Sequence, residues 1–135
     1  MNPATQFRIA LTVSDLQKAL SFFRDVLGLP VQQEWDAGEG RGVVLAIPKA
    51  TLEILDQEHA AFVDRIETGR QSSGRVRPGQ VRFAFEVPNL QDAVAAAGAA
   101  GVPLVGGPVA TPWKDLNARV AGPDGLQVTL FQSPP

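Results

Sequence analysis

Fourteen residues of this chain occur twice. Phe7 to Leu20 reads FRIALTVSDLQKAL and Val81 to Val94 reads VRFAFEVPNLQDAV. Overlaid without gaps, Arg8 falls on Arg82, Ala10 on Ala84, Val13 on Val87, Leu16 on Leu90, Gln17 on Gln91 and Ala19 on Ala93. Six of the fourteen positions are identical, and apolar residues face apolar ones at most of the others. A repeat constrains topology more than any single motif. Two copies are too few for a solenoid, so the chain is expected to consist of two similar halves around an approximate two-fold axis.

The order of elements supports two halves. Phe7, Ile9, Leu11 and Val13 alternate with Arg8, Ala10 and Thr12, which predicts a strand with one face in a core. Ser14-Asp15-Leu16-Gln17 is a helix start, and Leu16, Ala19, Leu20, Phe23 and Leu27 share a helical face that Gly28 ends. Extended segments follow at Val31–Trp35, Val43–Ile47 and Thr51–Leu55, with a turn at residues 36–40. The first half reads β-α-β-β-β. The second half repeats it: a strand over Val81–Val87, a helix over Leu90–Ala100 capped by Asn89, and an extended stretch near Pro112-Trp113. A strand over Asn117–Ala121, a Pro123-Asp124-Gly125 turn and a last strand over Leu126–Phe131 complete it. The expected division is one domain over residues 1–135, with a first module at about 5–55, a connector at 56–80 and a second module at about 81–132. Within the connector, Glu58–Glu67 can hold a short helix. Gly69–Gln80, rich in Gly, Ser and Arg, reads as an exposed loop.

Composition narrows the function classes. A net charge of −2 gives no global attraction to nucleic acid or to an anionic membrane. No apolar run approaches the roughly 20 residues of a membrane-spanning helix. The N-terminus lacks the basic and long apolar segments of a signal peptide, and cysteine is absent, so a cytoplasmic protein is expected. Without cysteine there are no disulfides, thiolate metal sites or cysteine nucleophiles.

Alternation decides which residues share a surface. If Ile9, Leu11 and Val13 pack under the helix, Arg8 points to the other face of the sheet, and Arg82 does the same in the second half. Glu53 and Thr129 are the matching positions on the last strand of each half. The repeat therefore nominates Arg8, Glu53, Arg82 and Thr129 for one concave surface. Phe131 and Leu55 are expected to floor it, and Trp35 and Trp113 to wall it with flat stacking surface. An equal reading of the tryptophans is core or subunit interface. Arg8, Arg82 and Glu53 are read either as mutually neutralising, with Glu86 a further partner, or as leaving one arginine fork free for a carboxylate, phosphate or enolate oxygen. Arg70, Arg75 and Arg77 form a solvated loop or a lid over an anionic ligand. The single histidine, His59, reads as a surface residue of the connector helix, and no Ser-His-acid set can be assembled away from it.

Phe7 to Leu29 closely resembles the opening of the vicinal oxygen chelate superfamily, which includes glyoxalases, bleomycin-resistance proteins, fosfomycin-resistance enzymes and extradiol dioxygenases. Pro123-Asp124-Gly125 resembles that family's Asp-Pro-Asp-Gly signature, with Gly122 at the first position. The resemblance implies an α+β fold of two β-α-β-β-β modules whose sheets curl into a cup with helices outside, and a homodimer. It also implies metal ligands at the four repeat-related positions, usually His on the first strand of each module and Glu or His on the last. Here those positions hold Arg8, Arg82, Glu53 and Thr129. A guanidinium is always cationic and has no lone pair to donate, so no metal and no other cofactor is expected. The expected function is metal-free binding of a small aromatic or anionic compound. The alternative is a lyase- or dioxygenase-like enzyme with Glu53 as the catalytic base and Arg8 and Arg82 stabilising an oxyanion.

Overall fold

A computed structural model of the protein describes residues 6–36, 38–70 and 76–134. Arg75, like the rest of 71–75, and Ala37 of the first turn lie outside the described residues. The fold is α+β, as expected, and the described residues form two sheets and three α-helices. Helix α1 (Leu16–Leu20) leads through a π-helical turn (Ser21–Val26) to the hairpin of β1 (Val31–Asp36) and β2 (Arg41–Leu45). Helix α2 (Gln57–Thr68) follows. Next come β3 (Phe83–Glu86), helix α3 (Leu90–Ala99), β4 (Leu104–Ala110), β5 (Leu116–Ala121) and β6 (Gln127–Gln132). The last four strands form one sheet in the order β3-β6-β5-β4, with β3 parallel to β6 and the other pairs antiparallel. Among the described residues no helix is long and apolar enough to cross a membrane.

The core lies between one face of this sheet and helices α1 and α3 with the π-helical turn after α1. Ala118 and Val120 of β5 and Val128 and Leu130 of β6 pack against Ala19, Phe22, Phe23, Leu90 and Ala97. Alternation along the strands makes this face continuous. The predicted helical face of α1 held Phe23 and omitted Phe22, yet Phe22 is the more buried, at 1% exposure. A π-helical turn adds a residue to the turn and rotates both rings inward. Their centroids are 5.0 Å apart, and Phe23 reaches Phe83 and Phe85 at 6.2 and 6.1 Å. The two halves of the chain thus meet through aromatic rings.

Both helix starts of the repeat form. Asp15 and Asn89 cap α1 and α3, accepting from the amides of Lys18 and Asp92 at 3.0 and 2.9 Å. Ser14, expected to contribute to the first cap, instead bonds across to Asp124 in the turn between β5 and β6.

The first half departs from expectation at both ends. Residues 7–13 and 51–55 carry no strand ladder. Phe7, Ile9 and Leu11 are exposed rather than packed under the helix, as are Leu52 and Ile54. Alternation marks a segment as suited to a sheet, but a strand exists only where a second backbone supplies the hydrogen bonds. The edges of the larger sheet are β3 and β4, and neither is joined by these segments. In the second half the extended stretch expected near Pro112-Trp113 is a turn. The strand there is β4, which runs through Gly106-Gly107-Pro108 with a shifted register and a cis Gly107–Pro108 bond. Helix α2 forms as predicted within the connector, but it is no exposed linker. It packs on β4 and β5, on the sheet face opposite α1 and α3. The connector helix α2 lies apart from the two module helices, on the sheet face where its carboxylates find cationic and hydroxyl partners.

Candidate functional site

The inner face of the four-stranded sheet carries the side chains that alternate with the core. Arg119 of β5 stands directly opposite Thr129 of β6, and Asn117 opposite Phe131. Ala84 of β3 flanks Thr129 on the other side, and Arg82 enters just before β3. Helix α2 presents Val63, Asp64 and Glu67 to this face, all buried. These positions, i, i+1 and i+4, occupy one side of a helix.

A continuous polar network results. Arg82 Nη1 donates to Thr129 Oγ1 at 2.7 Å, and the same hydroxyl donates to Glu67 Oε1 at 2.6 Å. Arg119 Nε donates to Glu67 Oε1 at 2.9 Å, and Arg119 Nη1 to Asp64 Oδ1 at 2.8 Å. Asn117 Nδ2 donates to Glu67 Oε2 at 3.0 Å. Arg82 Nη2 lies 3.9 Å from Glu53 Oε1, whose side chain is largely exposed. Burial pulls the Arg82 guanidinium below its ordinary pKa, while the negative charge of Glu67 opposes that shift and the charge of Arg119 adds to it.

Of the four positions nominated by the repeat, Arg82, Glu53 and Thr129 come together. Arg8 does not: it is exposed on the segment without a ladder and takes no part in this network. Phe131 lies on the same side of β6 as Thr129, as alternation requires, and is half-buried. Leu55 is half-buried but belongs to no strand, so it floors no sheet. Trp35 sits on β1 opposite Gly42, and its indole covers that glycine so closely that a Cβ there would lie 2.5 Å from the ring. It lines an open groove of about 340 Å³ with Glu34, Asp36, Arg41 and Val43. Trp113 is exposed in the turn after β4 and lines no part of that groove. The two tryptophans therefore do not hold related places. The β4–β5 turn displaced the one predicted on an extended segment. Glu86 bonds Ser133, not an arginine.

Four members of the network, Asp64, Glu67, Asn117 and Arg119, were missed from sequence. The hairpin at Pro123 carries a signal for two of them. Asn117 and Arg119 have the same parity as Thr129 once that hairpin sets the register. Asp64 and Glu67 stand three apart on one helical face, which marks them as neighbours but not as buried.

The family resemblance implies a metal, and the donor set does not fit one. Two of the four ligand positions are arginines, and Arg82 donates to the hydroxyl of the third. Among the described residues no three His, Cys, Asp or Glu side chains are arranged to hold a metal ion.

The family model of the Glyoxalase/Bleomycin resistance protein/Dioxygenase superfamily matches residues 5–130. No curated protein matches the chain. Among solved structures, hypothetical protein SA1046 of S. aureus aligns with a TM-score of 0.63 at 18% identity, covering 97% of this chain and 95% of that one. TnmS3, an antibiotic-binding protein from Streptomyces sp. CB03234, aligns at 0.56 and 22%, covering 96% and 100%. A lactoylglutathione lyase from Agrobacterium tumefaciens aligns at 0.56 and 20%, covering 97% and 95%. These likenesses are to the fold. With the match over nearly its whole length, the chain belongs to the Glyoxalase/Bleomycin resistance protein/Dioxygenase superfamily.

Proposed function

We propose that this protein binds a small aromatic or anionic compound without a metal and without transforming it. The observation that carries the reading is Arg82. Its desolvated guanidinium occupies a position where this family's metal-dependent members hold a ligand, is oriented by Thr129, and keeps a second edge only loosely engaged by Glu53. A charged planar fork with donors to spare suits a carboxylate, phosphate or enolate oxygen. Thr129, Phe131 and Leu55 are the neighbouring contacts in this reading, and Trp35 and Trp113 offer stacking surface. Likeness to a protein described as antibiotic-binding supports the choice at the level of fold. The enzyme alternative draws its support from likeness to a lactoylglutathione lyase. It is weaker in its chemistry, because Glu53, its base, is 71% exposed in its side chain and Arg8 stands apart.

The ligand hollow in this reading is completed by a second copy of the chain. Its support is the pair of apolar segments, 7–13 and 51–55, which expose Phe7, Ile9, Leu11, Leu52 and Ile54.

Tryptophan fluorescence titrated with a panel of aromatic carboxylates and phosphates tests the function. At least one compound is expected to bind wild type and to bind Arg82→Ala more weakly by about 1–3 kcal/mol, with Arg82→Lys intermediate. Exhaustive chelation is expected to leave that affinity unchanged. A panel without response, or affinity lost on chelation and restored by a divalent metal, overturns the reading.

A further inference from the structure

Glu67 is only 1% exposed, yet it is a carboxylate. It survives burial because three donors converge on it: Arg119 Nε, Thr129 Oγ1 and Asn117 Nδ2, at 2.9, 2.6 and 3.0 Å. Those donors come from β5 and β6, whereas Glu67 arrives on a helix from the connector. The arrangement is that of a receptor and a carboxylate ligand joined by a tether.

Three further observations bear on whether that ligand is exchangeable. First, two of the three residues that α2 buries fully are carboxylates, while its apolar side chains beside Val63, such as Phe62 and Ile66, are only half-buried. A buried ion pair gains little net stability over its solvated parts, unlike an apolar contact of the same size. Second, the seat is shaped for close approach. Gly106 of β4 has ordinary negative-φ backbone, yet a Cβ there would lie 2.3 Å from the Glu67 carbonyl oxygen and 2.7 Å from Thr68 Cα. Glycine is needed there for space alone. Third, the match is incomplete. Asn117 is 4% exposed, and its Oδ1 has no hydrogen-bond partner among the described residues. The amide gives its donor side to Glu67 and receives nothing at its acceptor side. A carboxylate with a hydroxyl or ammonium group beside it would satisfy both ends of that amide.

We propose that Arg119, Asn117 and Thr129 form a binding cradle for a small hydroxy- or amino-carboxylate, that Glu67 fills it as an internal ligand, and that such a carboxylate displaces α2. The helix is then a built-in competitor. It lowers the apparent affinity of the cradle by the fraction of chains in which the helix is seated. The proposal deepens the function proposed above, since Arg82 bonds the same Thr129. The two fail separately.

Acetate and glycolate titrated calorimetrically against chloride at matched ionic strength test it. Glu67→Ala is expected to bind acetate about tenfold or more tightly than wild type, as is Gly106→Ala, which keeps every cradle residue and unseats the helix. Glycolate is expected to bind more tightly than acetate in all three proteins. In wild type, glycolate is expected to speed amide hydrogen exchange across residues 57–68 while β5 and β6 stay protected, a readout that needs no variant to fold. Variants no tighter than wild type, no preference for glycolate, or unchanged exchange in α2 at saturating glycolate overturns the proposal. If aromatic ligands bind through Arg82 while the cradle tests fail, the binding function stands and this inference falls. If the fluorescence panel is silent while Glu67→Ala takes glycolate, the reverse holds.

Discussion

Asp124 joins the two halves through a single carboxylate. It accepts from the Ser14 amide at 3.0 Å and from the Ser14 hydroxyl at 2.5 Å, from a left-handed backbone with φ of 55°. Those bonds hold its carboxyl below the ordinary value of 3.8. A carboxyl whose folded pKa is depressed contributes stability above its unfolded pKa and loses it as pH falls through the folded one. Asp124→Asn tolerates the left-handed backbone and removes the charge. It is expected to lower the urea midpoint at neutral pH, with the gap from wild type closing as pH falls below about 3.8. Equal gaps at every pH would assign the bond no charge-dependent role. The turn at Asp124 was legible from Pro123-Asp124-Gly125; its partner was not, because Ser14 also reads as a helix cap and only proximity across the chain decides between the two uses.

At the scale of elements, two helices differ in what holds them. The π-helical turn after α1, which carries Phe22, is fastened by apolar packing within the core that holds Val128 and Leu130. Phe22→Ala is expected to cost about 3–5 kcal/mol in equilibrium unfolding, the range for a buried aromatic truncated to a cavity. A loss under about 1 kcal/mol would mean that the π-helical turn relaxes to fill the space. Helix α2 is fastened by charge. Arg119→Met leaves Asp64 and Glu67 buried without the cation that bonds both, a change expected to cost about 3–5 kcal/mol. Chemical denaturation followed by far-ultraviolet dichroism checks it, and an unchanged midpoint would show that the two carboxylates are solvated in solution. The helical pattern of α2 was readable in the chain. Its docking was not, because a charged helical face reads as solvent-facing until a sheet with complementary charge is brought against it.

At the scale of the whole molecule, the second half forms a four-stranded sheet and the first a hairpin flanked by two segments without a ladder. Equivalent positions of the two copies thus end in unlike settings. Phe83 and Phe85 pack against Phe23, while their counterparts Ile9 and Leu11 are exposed. In the proposed dimer those flanks are covered, so light scattering is expected to give twice the chain mass of 14.3 kDa. Leu52→Asp with Ile54→Asp is expected to shift it to the monomer, since charges on an apolar contact oppose association. A monomeric wild type at high micromolar concentration would remove the second copy from the proposed site.

What the sequence determined by itself is local or duplicated. The helix starts at Ser14-Asp15 and Asn89, the Pro123 turn and the alternation of β6 depend on neighbours along the chain, and each formed, with Asp15 in place of Ser14 as the first cap. Alternation also sufficed to bring Thr129 to the inner face with Arg82. Only the tertiary structure decided that residues 7–13 find no ladder, that Arg8 stays outside the network, and that Asp64 and Glu67 enter it. The reason is common to all three. Hydrogen-bond pairing and charge neutralisation are satisfied by whichever partner folding delivers, and a partner about fifty residues away leaves no mark on the local pattern.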